Sequence, residues 1–92
     1  MNLNDYKPGA IVVYITHHED KSLEGVYRYM GPAFNSPIPG HDYEFTFINP
    51  KIPQYLGLQW YLNKEGTWID EGRNLSEITE IFTEETNPEY FL

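Results

Sequence analysis

The run at residues 10–16 constrains the fold of this chain more than any other segment. Every residue in it is apolar, aromatic or β-branched, and a Lys-Pro-Gly turn at residues 7–9 precedes it. A run that stays apolar without alternating is typical of a strand covered on both faces. The chain has 92 residues, which is enough for one hydrophobic core and too few for two. The run therefore predicts a single β-rich domain over residues 1–92.

Turn residues and alternating side chains predict four more strands. They lie, in chain order, at residues 24–30, 42–49, 55–63 and 67–70. The alternation is clearest in the third strand, where Tyr43, Phe45 and Phe47 share one face and predict its contact with the core. Between the second and third strands, residues 31–40 contain too many prolines for a strand or helix, so they are predicted to form a long loop.

The segment at residues 74–83 is compatible with either a short helix or a strand. Leu75, Ile78 and Ile81 fall at helical spacing, and the segment opens on a sequence that resembles a capping box. The Ile and Thr residues within it favour a strand. Beyond it, residues 83–92 form an acidic and aromatic tail whose apolar end is expected to dock on the domain.

This succession of short strands, with a long second loop and a brief last element, resembles the small barrels of the Src-homology-3-like superfold. The residues that carry the resemblance are the Lys-Pro-Gly turn at residues 7–9 and the Gly-Val-Tyr-Arg-Tyr-Met-Gly segment at residues 25–31. The resemblance covers most of the chain as an order of elements. It implies a mainly β, partly open, five-stranded antiparallel barrel, and a binding module rather than an enzyme.

The negative charge of the chain is concentrated in its last third. The formal net charge is −8, of which −7 belongs to residues 65–92, where eight acids stand against Arg73 alone. Such a segment repels phosphate backbones and anionic lipid surfaces and attracts basic partners. The alternative explanation is solubility, which a net charge far from zero favours.

Two sets of residues are candidates for binding a protein partner. The acids expected to contact a basic partner are Glu65, Asp70, Glu71, Glu77, Glu80, Glu84 and Glu85. They could imitate a row of phosphates, as phage-type DNA-mimic inhibitors do. Phe34 and Ile38 are the second set, as exposed apolar anchors on the long loop. The alternative for Phe34 and Ile38 is that they cover one end of the barrel.

Binding of single-stranded nucleic acid or of a peptide through exposed aromatic rings is an alternative function. Tyr27, Tyr29, Tyr61 and Trp68 could form a stacking surface on the open side of the sheet. Affinity for phosphate, however, comes mainly from Lys and Arg, and the chain has 6 of these against 14 acids. We therefore expect no direct contact with duplex nucleic acid, and a second packed face for these rings.

A small metal-dependent enzyme is the third hypothesis, and it depends on polar residues of two loops. The candidate ligands are His17, His18, Glu19, Asp20, His41 and Asp42. Adjacent histidines in an extended chain point to opposite sides, and no HExxH pattern is present. We interpret residues 17–22 as a polar connector, and we expect neither a metal nor a cofactor.

No residue stands out as a catalytic nucleophile. The chain has no Cys, and Ser22, Ser36 and Ser76 lie in turn-like contexts without a GxSxG elbow. The predicted function is therefore non-enzymatic protein binding. The lack of Cys suits a reducing compartment, and no signal peptide or membrane-spanning apolar run is visible, so we expect a cytoplasmic protein without membrane contact. An uncovered edge strand would allow a homodimer as well as a monomer.

Overall fold

Six antiparallel strands form one sheet in the computed structural model, which describes residues 1–92. In chain order they are β1 (Val12–His17), β2 (Gly25–Pro32), β3 (Tyr43–Phe47), β4 (Gln59–Leu62), β5 (Thr67–Asp70) and β6 (Arg73–Phe82). Their order in the sheet is β4-β3-β2-β1-β6-β5. The two outer strands, β4 and β5, are joined by a tight turn, so the sheet closes almost completely into a barrel. This confirms the predicted small antiparallel barrel, with six strands instead of five, and it is compatible with the Src-homology-3-like superfold.

The helical content of the chain is limited to short 3₁₀ turns. They span Leu3–Asp5, Lys21–Leu23, Pro53–Tyr55 and Pro88–Phe91. Leu3 is fully buried, and its carbonyl accepts a hydrogen bond from the Tyr29 hydroxyl at 3.2 Å. Leu3 therefore fills one end of the barrel. No helix is long and apolar enough to cross a membrane.

Aromatic rings on β2 and β3 make the centre of the core. Tyr27 stacks on Phe47 with ring centroids 4.2 Å apart, and Tyr29 packs on Phe45 at 5.3 Å. These residues are partners in the β2–β3 ladder, and all four are fully buried. The predicted inward face of the third strand is thereby confirmed. Tyr27 and Tyr29, by contrast, are not available as stacking platforms on an open sheet surface.

Strand β1 lies between β2 and β6, and both of its faces carry apolar side chains. Val13 and Ile15 point into the core. Val12 is also fully buried, although it lies on the other face of the strand. It is the ladder partner of Phe82, and the Phe82 ring packs edge to face on Tyr90 of the C-terminal turn at 5.3 Å. This agrees with the non-alternating run from which the strand was predicted.

The ambiguous segment at residues 74–83 lies almost entirely in β6 and contains no helix. A β-bulge explains its helix-like spacing. Ser76 pairs with His17, Ile78 with Ile15 and Ile81 with Val13. Thr79 is an extra residue between them without a ladder partner in β1, so the inward positions are two and then three residues apart.

The fourth strand is shorter than predicted. The ladder with β3 spans only Gln59–Leu62, and beyond it Phe47 bonds to the backbone of Gly57 and Leu58. Residues 55–58 belong to a turn because Gly57 adopts φ +85°, a left-handed conformation that ends an extended chain. Leu56, which lies in this turn, is 66% exposed.

Candidate functional site

A pocket of about 140 Å³ opens where β1 ends and β6 begins. It is lined by His17, Glu19, Asp20, Leu23, Trp60, Trp68 and Leu75. Trp60 and Trp68 come from β4 and β5, the two strands that are not paired with each other. Because no ladder closes this part of the barrel, side chains fill the gap and leave the pocket between them.

Two indole rings form the aromatic corner of this pocket. Trp60 and Trp68 pack edge to face, with centroids 4.8 Å apart and planes at 63°. The Trp60 Nε1–H donates to Oγ of the buried Ser76 at 3.2 Å, which fixes the orientation of that ring. Ser76 lies inside β6, so its predicted turn-like context is wrong. Leu75 enters the pocket from a second bulge, where β6 has one residue more than β5.

His17 is the most deeply buried polar residue of the pocket. It is the last residue of β1 and is 3% exposed, so the interpretation of residues 17–22 as a solvated connector is wrong for this residue. Its ring packs on Trp60 at 4.8 Å. Burial lowers the pKa of His17 to about 4, against the opposite influence of the Glu24 and Asp20 carboxylates. The imidazole is therefore neutral at pH 7.

One hydrogen bond assigns the tautomer of His17. The Tyr27 hydroxyl has a single proton and donates it to the Leu23 carbonyl. Its oxygen is then an acceptor for the His17 Nε2–H at 3.5 Å. Nδ1 is left as an acceptor without a protein partner. Since no fully enclosed side-chain nitrogen or oxygen lacks a partner, Nδ1 keeps access to solvent through the pocket.

Two carboxylates lie at the mouth of the pocket. Asp20 accepts hydrogen bonds from the Ser22 hydroxyl and amide, and these lower the pKa of its carboxyl. Glu19 pairs with Arg73 at 2.7 Å. The neighbouring His18 points away from the pocket, as expected from strand geometry, and its Nε2 lies 3.1 Å from Glu77. No group of three or more His, Asp or Glu side chains is arranged to hold a metal ion.

The predicted acids do not form one cluster, and we call the seven of them the acidic flank. Glu65 lies in the β4–β5 turn, Asp70 and Glu71 lie at the β5–β6 turn, Glu77 and Glu80 lie along β6, and Glu84 and Glu85 follow that strand. Glu80 faces outward, opposite Tyr14 of β1. Six of the seven are exposed, and Glu77 is half-buried. The flank therefore follows the length of β6 and the turns at both of its ends.

Only one of the two predicted anchors on the long loop is fully exposed to solvent. Phe34 is 99% exposed, whereas Ile38 is half-buried. The Ser36 hydroxyl bonds to the Ile38 and His41 carbonyls, and the His41 Nε2 accepts from the Ile69 amide at 3.3 Å. These bonds order the loop and connect it to β5. Phe34 does not cover an end of the barrel.

Sequence reasoning missed the pocket itself. Leu23, Trp60 and Leu75 were not proposed as site residues, and Trp68 was considered only as part of an aromatic surface for a single-stranded nucleic acid or a peptide. One signal was present, because the chain has 2 Trp and they lie on consecutive strands joined by a tight turn. The sequence does not show that these two strands form no ladder with each other.

Comparison with protein-family models, with curated proteins and with solved structures gives no match for this chain.

Proposed function

We propose that this chain is a non-enzymatic protein-binding module whose acidic flank contacts a basic surface of another protein. The observation that supports this most is the position of Arg73. It is the only Lys or Arg in residues 65–92, and its guanidinium pairs with Glu19, outside the flank. The seven acids therefore have no Lys or Arg partner, and only Glu77 has a histidine beside it. Their field stays available to a partner.

The spacing of charges along the acidic flank bears on the kind of basic partner, which is either a general basic protein surface or the nucleic-acid site of a DNA-binding protein. Strand β6 has 10 residues, so at about 3.3 Å per residue it is about 30 Å long. Only Glu77 and Glu80 of the acidic flank lie on that length, so β6 carries one charge per about 15 Å, against one per about 1.7 Å in duplex DNA. This spacing favours a general basic protein surface. Imitation of DNA, with inhibition of a nucleic-acid-binding partner, is the narrower form of the proposal.

The exposed Phe34 supports a second point of contact. A fully exposed ring on a loop ordered by Ser36 and His41 adds apolar area at a small cost in conformational entropy. Aromatic anchors of this kind dominate the energetics of many protein interfaces.

The test compares two charge variants of equal net charge. Glu84→Gln/Glu85→Gln removes two charges from the acidic flank, and Asp5→Asn/Asp42→Asn removes two exposed charges elsewhere. Both variants and the wild-type chain are used as baits for affinity capture from the native host at low salt, and the association rate of any captured partner is then measured against ionic strength.

We expect a partner that is held by the wild-type chain and by Asp5→Asn/Asp42→Asn but is weakened with Glu84→Gln/Glu85→Gln. Its association should slow as salt rises, because electrostatic steering is screened over about 10 Å at 0.1 M salt. Equal binding by all three baits, or an association rate independent of salt, would contradict the role of the flank.

A further inference from the structure

We propose that the pocket binds an alkylammonium group that keeps at least one N–H, presented by a side chain of the basic partner. The proposal deepens the function proposed above and rests on it for the origin of the ammonium group. Four properties of the pocket carry it: its size, its aromatic corner, its charge, and the free acceptor on His17.

Size limits the ligand to one chemical group. The pocket volume is about 140 Å³. Whole small-molecule ligands occupy pockets of about 300–1,000 Å³, whereas an apolar cavity of about 150 Å³ holds a single benzene. The end of one side chain fits the pocket, and a nucleotide or an organic cofactor does not.

The aromatic corner suits a cation with methyl or methylene groups. Trp60 and Trp68 meet at 63°, so an occupant of the corner can touch both indole systems. The face of an indole is electron-rich and attracts a cation more strongly than the faces of the other aromatic side chains do. Leu23 and Leu75 complete an apolar lining for the carbon atoms.

The charges around the pocket favour a cation over a neutral or anionic group. Asp20 lies at its mouth without a Lys or Arg partner, Glu19 beside it pairs with Arg73, and the whole chain has a net charge of −8. His17 is the one lining residue that could become positive, and it is neutral at pH 7 because burial lowers its pKa to about 4. Arg73 reaches Glu19 but does not line the pocket.

The free Nδ1 of His17 is the reason why the proposed ligand must keep an N–H. This residue is 97% buried, and its Nε2–H is directed to the Tyr27 hydroxyl oxygen, so Nδ1 is an acceptor without a partner at the pocket wall. Because Nδ1 is open to the pocket, an N–H donor bound there can take the place of water as its hydrogen-bond partner. A primary, secondary or tertiary ammonium can donate to Nδ1, and a quaternary ammonium cannot.

The two tryptophans give a direct readout, because the chain has no other. Trimethylammonium, tetramethylammonium and tert-butyl alcohol are titrated at pH 7 into ¹⁵N-labelled protein, and the two indole N–H resonances are followed. The first probe has a charge and an N–H, the second has only the charge, and the third has a similar shape without charge. We expect trimethylammonium to shift both resonances and to bind about fivefold or more tightly than tert-butyl alcohol. Tetramethylammonium should bind more weakly than trimethylammonium.

Variants separate the aromatic contribution from the charge. Trp68→Leu keeps an apolar wall and should reduce the preference for the cation, and Glu19→Gln/Asp20→Asn should weaken the ammonium probes but not tert-butyl alcohol. Tyr61→Leu is the matched control, because Tyr61 bonds to Glu44 and does not line the pocket. Circular dichroism checks that each variant is folded.

The source of the ammonium is tested with a short basic peptide that carries a central dimethyl-lysine. Binding at least tenfold tighter than that of trimethylammonium supports a partner side chain, and no gain over trimethylammonium contradicts it in favour of a free small amine. Equal affinity for trimethylammonium and tert-butyl alcohol, or no shift with any probe, would overturn the proposal. If Glu84→Gln/Glu85→Gln loses the captured partner while Trp68→Leu keeps it, the flank is supported and the pocket proposal fails alone.

Discussion

Strands β2 and β3, which pair with each other, use aromatic residues differently from strands β4 and β5, which do not. We call them the paired and the unpaired strands. On the first pair, Tyr27 and Phe47 are ladder partners, and their stacked rings are fully buried. On the second pair, Trp60 and Trp68 also touch, but they remain half-buried and border a pocket. A hydrogen-bonded ladder brings side chains into close register. Where the ladder is missing, similar rings leave room for a ligand.

The largest expected effect is the loss of a ring from the paired strands. Phe47→Ala should lower the free energy of unfolding by about 3–5 kcal/mol, because it leaves an enclosed cavity. Trp68→Ala should cost less, since it widens a space that is already open to solvent. Urea unfolding followed by circular dichroism measures both values. Equal costs would mean that the unpaired strands are packed as tightly as the paired ones.

Acid should destabilise the protein through His17, which belongs to the pocket end. The pKa of this histidine is about 4 in the folded protein, below its ordinary value of 6.5, because the ring is buried. The unfolded chain therefore binds the proton more readily than the folded protein. The stability that the neutral ring contributes is fully present above pH 6.5, decreases as the pH falls, and is lost once the pH passes through about 4.

The free energy of unfolding of the wild-type chain is measured at evenly spaced pH values between about 7.5 and 4. This range includes the pKa of His17 in the unfolded chain and in the folded protein. His17→Gln should flatten the decline, and the exposed His18→Gln should leave it unchanged. The paired strands offer no comparable group, because burial raises the pKa of Tyr27 and keeps its hydroxyl neutral. A decline that persists in full with His17→Gln would assign the acid sensitivity to other residues.

The bond from Trp60 to Ser76 should have an intermediate effect. Ser76→Ala removes the acceptor of the indole N–H, at a cost of about 1–2 kcal/mol, and frees that ring to turn. Tyr29→Phe removes the hydrogen bond from the paired strands to the Leu3 carbonyl and is the control. Only Ser76→Ala should move the Trp60 indole resonance and weaken trimethylammonium. If Tyr29→Phe does both as well, the two regions are coupled.

The smallest effect on stability is expected for a ring that belongs to neither region. Phe34 is 99% exposed, so Phe34→Ala should change the free energy of unfolding by less than about 0.5 kcal/mol. Thermal melting of the variant beside the wild-type chain measures this. A loss above about 1 kcal/mol would show that the ring packs on the domain and is not free for a partner.

The alternation of side chains along the sequence correctly predicted the strands that are regular along their length. The alternation of Phe45 and Phe47 identified an inward face because β3 is regular along its length. The same reasoning left residues 74–83 undecided, because the extra residue Thr79 converts a spacing of two into one that resembles a helical turn. A bulge of this kind depends on the partner strand, which a local pattern does not contain.

The candidate site was harder to predict than the fold because it depends on which strands fail to pair. His17 was placed in a solvated connector, since a histidine before His18 and Glu19 has the composition of a loop. His17 is buried because it pairs with Ser76 of β6, which lies about sixty residues further along the chain. The acidic flank, by contrast, was visible at once, because charge can be counted without knowledge of contacts.

The position of β6 between β1 and β5 also has a consequence for how fast the chain folds. Thr16 of β1 bonds to Thr79 of β6 across a separation of 63 residues, whereas β2 follows β1 after a short connection. Contacts this distant along the chain slow folding into the range of milliseconds to seconds. During that interval β1, the most continuously apolar strand, has one edge without hydrogen bonds and can pair with other chains. Residues 73–82 therefore act as the chain's own protection against aggregation, and this protection begins only after they have been synthesised.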